Sequence, residues 1–356
     1  MRFVHDSVSP RVVFGCGSIS QVPAEIELLG CSRSLIIATP GRARFVAEIE
    51  TLLGARAAAK FLSARVHVPA DVAAEAEILA TVVKADSVVA VGGGSAIGVA
   101  KAVALKTGAP IIAIPTTYSG SEMTPVWGLS DESGKRTGRD PRVMPRVVIY
   151  DPDLTVDLPI EVSVPSAFNA MAHCVEALYA PDAQPLTSMM AVLALQLFPP
   201  ALRRIASAPR DANSREDALY AAMLAGKALA SSEMGVHHKI CHVLGGSFGL
   251  PHAQTHMVVL PHAAAFNRHA AAAEMEVIAA SIGADDAPQG LYDLARELGA
   301  PMSLSALGME EADLDRAAEL VVEKPYPNPR PVTREAVREL LDNAFHGRSP
   351  LTVKRE

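Results

Sequence analysis

Two hydrophobic periods alternate over the first 150 residues. Short β-branched runs occur at Arg11–Phe14, Ser34–Thr39 (SLIIAT), Ser87–Val91 (SVVAV), Pro110–Pro115 (PIIAIP) and Val147–Tyr150. Between them, Arg42–Leu53, Ala70–Lys84 and Ala96–Lys106 space their apolar residues as helices do. Strands that are apolar throughout must be covered on both faces. The alternation therefore predicts a parallel sheet between helical layers, joined by right-handed crossovers. After about Pro159 the strand signals stop. Long Ala/Leu/Met-rich stretches follow, broken at Pro199-Pro200, Gly245-Gly246, Pro251 and Pro325–Pro331, and these read as helices throughout. The expected organisation is an α/β dinucleotide-binding domain over residues 1–157 and an all-helical catalytic domain over residues 158–356.

Composition narrows the function classes. With 356 residues, 49% hydrophobic and 20% charged, the chain suits two folded domains and gives no sign of extended disorder. A net charge of −7 argues against nucleic acid and anionic membrane as partners, because both need basic surface. It does not exclude an anionic small substrate held by a local basic site. The start, Met-Arg-Phe-Val-His-Asp, has no signal-peptide core. No run of about 18 apolar residues stands out, so a cytoplasmic protein with no membrane span is expected. Cys16, Cys31, Cys174 and Cys241 form no CxxC pair and read as buried, reduced thiols.

Chemistry first shows where the third strand ends. Gly92-Gly93-Gly94-Ser95 joins that strand to a helix. Glycines there let a ligand approach the backbone, and a helix N-terminus favours a phosphate. A tight turn would need the same glycines, and the strict GxGxxG pattern is absent. The next strand ends in Thr116-Thr117-Tyr118-Ser119-Gly120-Ser121-Glu122, a hydroxyl-rich loop. Two such loops on the carboxyl edge of one parallel sheet favour a dinucleotide. The cofactor-facing set is then Thr39, Gly92, Gly93, Gly94, Ser95, Thr116, Thr117, Ser119 and Thr124. Thr39, near Arg42 and Arg44, stands where an acid would exclude NADPH.

Six of the eleven histidines fall within His237–His262. Asn169 and His173, His238 and His242, and His252 and His256 are each four residues apart, so each pair shares a helix face. Three such helices could converge on a metal or a polarising site. Lys239 and Glu176 accompany them, and Lys135, Arg136, Arg139, Arg142 and Arg146 form a basic stretch that reads equally as a solvated hairpin or an anion-binding segment. Any one of these residues could be an ordinary core or surface group. The repetition favours a shared site.

These segments resemble the iron-containing alcohol dehydrogenase family. The resemblance rests on VVAVGGGSAIGVAKA (88–102), AIPTTYSGSEMTP (113–125), NAMAHCVEAL (169–178) and HHKICHVLGGSFGLPHAQTH (237–256), in that family's order and spacing. It implies a dinucleotide-binding domain followed by a helical domain. In metal-dependent members, an aspartate and three histidines hold a divalent ion, and the matching positions here are Asn169, His173, His238 and His252. Two departures stand out: Asn169 replaces the aspartate, and Gly98 stands where the glycine-rich helix usually carries one. With Tyr118 and TGRDPRVMPR (137–146), they resemble the branch that reduces maleylacetate to 3-oxoadipate.

That branch implies NADH as donor, with NADPH admissible, no metal, a small dicarboxylate substrate and a homodimer. The resemblance then assigns His242, with His173, His238, His252 and Lys239, to catalysis, and His242 is the expected proton donor. Asn169, Tyr118, His256 and Arg139 are the expected substrate contacts. The rival readings are a metal-dependent alcohol dehydrogenase acting on a small alcohol or aldehyde, a lyase that uses NAD only transiently, and a non-catalytic nucleotide sensor.

Overall fold

A computed structural model describes residues 9–131 and 134–350. Its contacts divide them into two units, one of residues 9–158 with 210–226, the other of residues 159–209 with 227–350. The division is not the continuous one expected from the sequence. Residues 210–226 join the first unit, where fully buried Arg215 donates to the Leu158 carbonyl at 2.7 Å and to the Tyr118 hydroxyl at 3.3 Å.

The first unit is built on six strands, β1 (Arg11–Phe14), β2 (Ser34–Ala38), β3 (Ala57–Phe61), β4 (Ser87–Gly92), β5 (Ile111–Pro115) and β8 (Val147–Tyr150). They pair in parallel in the order β1-β8-β5-β4-β2-β3. Strands β2, β4, β5 and β8 are buried along their whole length, as both-face coverage requires. The helices α1 (Val22–Leu28), α2 (Ala43–Leu53), α3 (Ala70–Val82) and α4 (Gly94–Thr107) accompany them. A separate antiparallel hairpin joins β6 (Val126–Asp131) to β7 (Gly134–Arg139). Register aligns the strand ends: Ala38 pairs with Val91, and Gly92 with Pro115. The three turns read as cofactor-facing therefore leave neighbouring strands at one carboxyl edge, where open α/β sheets bind ligands.

Helix α7 (Ala212–Ala230) runs from the first unit into the second, which otherwise holds α5 (Ile160–Tyr179), α6 (Pro185–Ser207), α8 (Val236–Phe248), α9 (His252–Asn267), α10 (Ala272–Ile282), α11 (Ala287–Glu297), α12 (Leu314–Val322) and α13 (Arg334–Phe345). Two expected breaks are absent: Pro199-Pro200 lies inside α6, and Gly245-Gly246 inside α8. An interior proline costs about 3 kcal/mol of helix. Burial of Ala194, Leu195, Phe198, Leu202 and Ile205 offsets that cost in α6. Helix α6 is long and apolar enough in one 18-residue window, of mean hydropathy 1.4, to pass a length-and-composition test for a membrane span, a test that core helices also pass. The thiols divide too: Cys174 and Cys241 are buried as expected, Cys31 is half-buried and Cys16 is exposed.

Candidate active site

The glycine turn has the shape a dinucleotide needs. Gly92 has φ +148°, and a Cβ there would lie 3.1 Å from Ala96 Cβ. A Cβ on Gly93 would come within 2.8 Å of Thr117 Oγ1. Gly93 caps α4 with no side-chain hydrogen bond, so the first N–H groups of α4 keep no side-chain cap. Beside this turn the Thr116 hydroxyl is buried and lacks a partner among the described residues. Thr116 donates its backbone N–H to the Gly92 carbonyl at 3.0 Å, which ties the two turns together. A bare helix N-terminus, a cradle that a side chain would fill and an orphaned hydroxyl all suit a pyrophosphate. Gly94 is exposed, and Ser95, Thr117, Ser119 and Thr39 are half-buried.

Other expected contacts of this unit are already committed. Thr124, 4% exposed, accepts at its Oγ1 from Lys101 Nζ at 3.1 Å. Lys101 Nζ also donates to the carbonyls of Ser121, Thr124 and Val126 at 2.7–2.8 Å and so pins the end of the hydroxyl loop. Burial pulls Lys101 down to about 7, against the opposing effect of Glu122. A lysine on an apolar helix is the one trace of this clamp in the sequence. Tyr118 has no exposed surface and accepts from Arg215 at 3.3 Å. Arg139 and Arg136 are exposed on the hairpin; the Lys135 side chain lies outside the described residues.

In the helical unit the three polar pairs do converge. They lie on α5, α8 and α9. His173 and His238 stack 4.9 Å apart, and His173 Nδ1 and His238 Nε2 share a hydrogen bond at 2.8 Å. His237 Nε2 and His256 Nδ1 share another at 2.9 Å, and the His252 and His256 rings meet edge to face at 4.5 Å. Glu176, fully buried, lies 2.6 Å from His238 Nδ1. Exposure rises outward. His237 and His256 are buried, His252 and Lys239 are half-buried, and His242 is exposed, its ring 6.2 Å from that of His238. His256, expected to touch substrate, is therefore a core residue bonded to His237. Burial, then the neighbouring histidines, holds His237 and His256 well below the ordinary imidazole range, so both are neutral.

Two ligands on a tetrahedral ion, bonded at about 2.0–2.1 Å, sit roughly 3.3 Å apart. The 2.8 Å contact between His173 and His238 is a hydrogen bond, with both nitrogens committed to each other. Asn169, 5% exposed, contributes an amide, which carries no charge to offset a divalent ion. Asn169 is thus the weak member of this set as a ligand for a divalent ion. A second set, His237, Cys241 and His256, brings its donor atoms within 4.8 Å of one another, but there too the two ring nitrogens are bonded together at 2.9 Å.

Residues 9–152 match the family profile for iron-containing alcohol dehydrogenase, and residues 163–345 the profile for the C-terminal part of the Fe-containing alcohol dehydrogenase family. A maleylacetate reductase from Pseudomonas knackmussii is 49% identical over 350 residues, 98% of this chain and 99% of that protein. Among solved structures, a putative alcohol dehydrogenase from Ralstonia eutropha JMP134 aligns with a TM-score of 0.97 at 49% identity, over 98% and 99% of the two chains. A maleylacetate reductase from Agrobacterium tumefaciens aligns with a TM-score of 0.94 at 46% identity, over 98% and 100%.

Proposed function

The chain belongs to the iron-containing alcohol dehydrogenase family, and we propose that it uses NAD(P)H to reduce the carbon–carbon double bond of maleylacetate, giving 3-oxoadipate, without a metal ion. The observation that carries the substrate is likeness to maleylacetate reductases along the whole chain, at 49% identity over 350 residues. The metal-free chemistry is supported by Asn169 and by the direct hydrogen bond between His173 and His238.

Maleylacetate is a dianion with its alkene conjugated to a ketone. When bound, the nicotinamide supplies a hydride. Reduction builds negative charge on the ketone oxygen as an enolate, and a neighbouring carbon then needs a proton. His242 and His252, the two rings of the converging pairs with accessible surface, reach the substrate. His252 donates to the enolate oxygen, and His242 delivers the proton. Lys239, half-buried beside His238, offsets a substrate carboxylate. His173 and His238 stand behind, His173 Nδ1 and His238 Nε2 held by one another and His238 Nδ1 held by Glu176.

Gly92, Gly93, Gly94 and Ser95 at the start of α4 hold the pyrophosphate. Thr39 at the end of β2 admits NADH and NADPH alike, because no carboxylate stands there to repel a 2′-phosphate. The enzyme works in the cytoplasm as a homodimer, and sedimentation of the purified protein checks the dimer.

The test is loss of NADH absorbance on adding freshly generated maleylacetate, with the product identified by mass spectrometry. Rapid turnover to 3-oxoadipate is expected. Turnover only on simple aldehydes would overturn the reading.

A further inference from the structure

We propose that Glu176 is a positioning residue that fixes the direction of the His238–His173 hydrogen bond and thereby decides which nitrogen of each ring carries the proton. Glu176 lies on α5, three residues after His173, with no exposed surface. Its Oε1 accepts from the His237 backbone N–H at 2.8 Å, and its Oε2 accepts from the Gly235 N–H at 2.9 Å. Gly235 is the N-cap of α8 and has no side chain with which to cap it. The carboxylate supplies that cap from another helix, in the field of the α8 N-terminus. It is anchored before any histidine is considered.

The rest follows from counting donors. An ionised carboxylate only accepts hydrogen bonds. Its 2.6 Å contact with His238 Nδ1 therefore places the proton on that nitrogen. In the neutral form, where an imidazole has one N–H, His238 Nε2 then holds a lone pair. That lone pair faces His173 Nδ1 at 2.8 Å, so His173 donates and carries its own proton on Nδ1. The string runs from His173 through His238 to Glu176, and His173 Nε2 is left as an acceptor. The reverse string would set the His238 Nδ1 lone pair against a carboxylate oxygen at 2.6 Å, a repulsive contact.

This divides the cluster by polarity. An acceptor at His173 Nε2 repels an enolate oxygen and attracts a proton-bearing group. Glu176 acts on this choice through His238 and never touches the substrate.

The consequence for turnover rests on the reductase reading, whereas the tautomer itself does not. Protein labelled with 15N-histidine, at about pH 8 and so above the ordinary imidazole range, gives a long-range 1H–15N spectrum. The signals of His173 and His238 are assigned from single substitutions. Both should be Nδ1–H tautomers in the wild type. In Glu176→Gln, an amide nitrogen can face His238 as a donor. The His238 tautomer should then change and kcat fall about 10- to 100-fold, with NADH affinity kept within about twofold. A wild-type spectrum with His238 as the Nε2–H form overturns the proposal, even where the variant fails to fold. So does a folded Glu176→Gln with unchanged kcat. The spectrum needs no substrate, so absent maleylacetate turnover would count against the reductase reading alone.

Discussion

His242 differs from the other rings of the cluster in being exposed, and that separates its role from theirs. A proton donor must meet its substrate, whereas a buried ring can only support a neighbour. His242→Ala should lower kcat by on the order of 10²-fold and leave NADH binding unchanged, as for the loss of one transition-state donor. Stopped-flow turnover with a parallel NADH titration checks this, and wild-type turnover would remove His242 from the mechanism. The buried pair His237 and His256 makes a different prediction. Both are held well below the ordinary value of 6.5, first by burial and then by nearby histidines. Between their folded-state values and 6.5 the unfolded chain binds more protons than the fold. Their contribution to stability is thus complete above about 6.5 and is lost as pH falls below it. The thermal midpoint should drop between pH 8 and pH 5, and the drop should be shallower in a His237→Phe, His256→Phe double variant. An equal drop in both would contradict the account.

Helix α4 shows what the chain does with the side chain missing at Gly98. A Cβ on Gly98 would lie only 2.4 Å from Val68 Cγ2, so Val68 fills the space. Val68 holds φ +50°, an unfavourable backbone for a β-branched residue. Gly98→Ala should therefore cost about 1–3 kcal/mol by overpacking. Val68→Ala in the same chain should recover part of that loss, which denaturant unfolding of the four variants would show as non-additivity. Strictly additive losses would mean that the two residues do not compete for one space. What the sequence revealed at this scale followed burial. Strands β2, β4, β5 and β8 were legible because each is buried along its length and bounded by turn residues. Strand β3, AAAKF, was missed: it is an alanine-rich edge, half-buried for most of its length. The hairpin β6–β7 was legible only as one of two readings of the basic stretch, because VWGLSD and GKRTGR carry too few apolar residues to mark a buried face. The histidine pairs were legible by spacing alone. The contacts of Tyr118 and Thr124 were not, because the buried Arg215 and Lys101 that engage them are distant in sequence.

The whole chain assigns the two needs of a reductase to different units. The unit containing β1–β8 carries the glycine cradle and the orphaned Thr116 hydroxyl. The helical unit carries the histidine cluster with its buried Glu176. Lys239, half-buried on the same helix as His238 and His242, is the cation proposed to meet a substrate carboxylate. The central claim is that hydrogen bonds among these histidines stand where relatives with an aspartate would hold an ion. Purified enzyme, dialysed against a strong chelator and shown by elemental analysis to hold less than about one-tenth of an ion per chain, should be assayed for NADH-dependent reduction of maleylacetate. The account predicts undiminished turnover that added zinc or iron does not raise. Turnover lost on dialysis and restored by a divalent ion would contradict it.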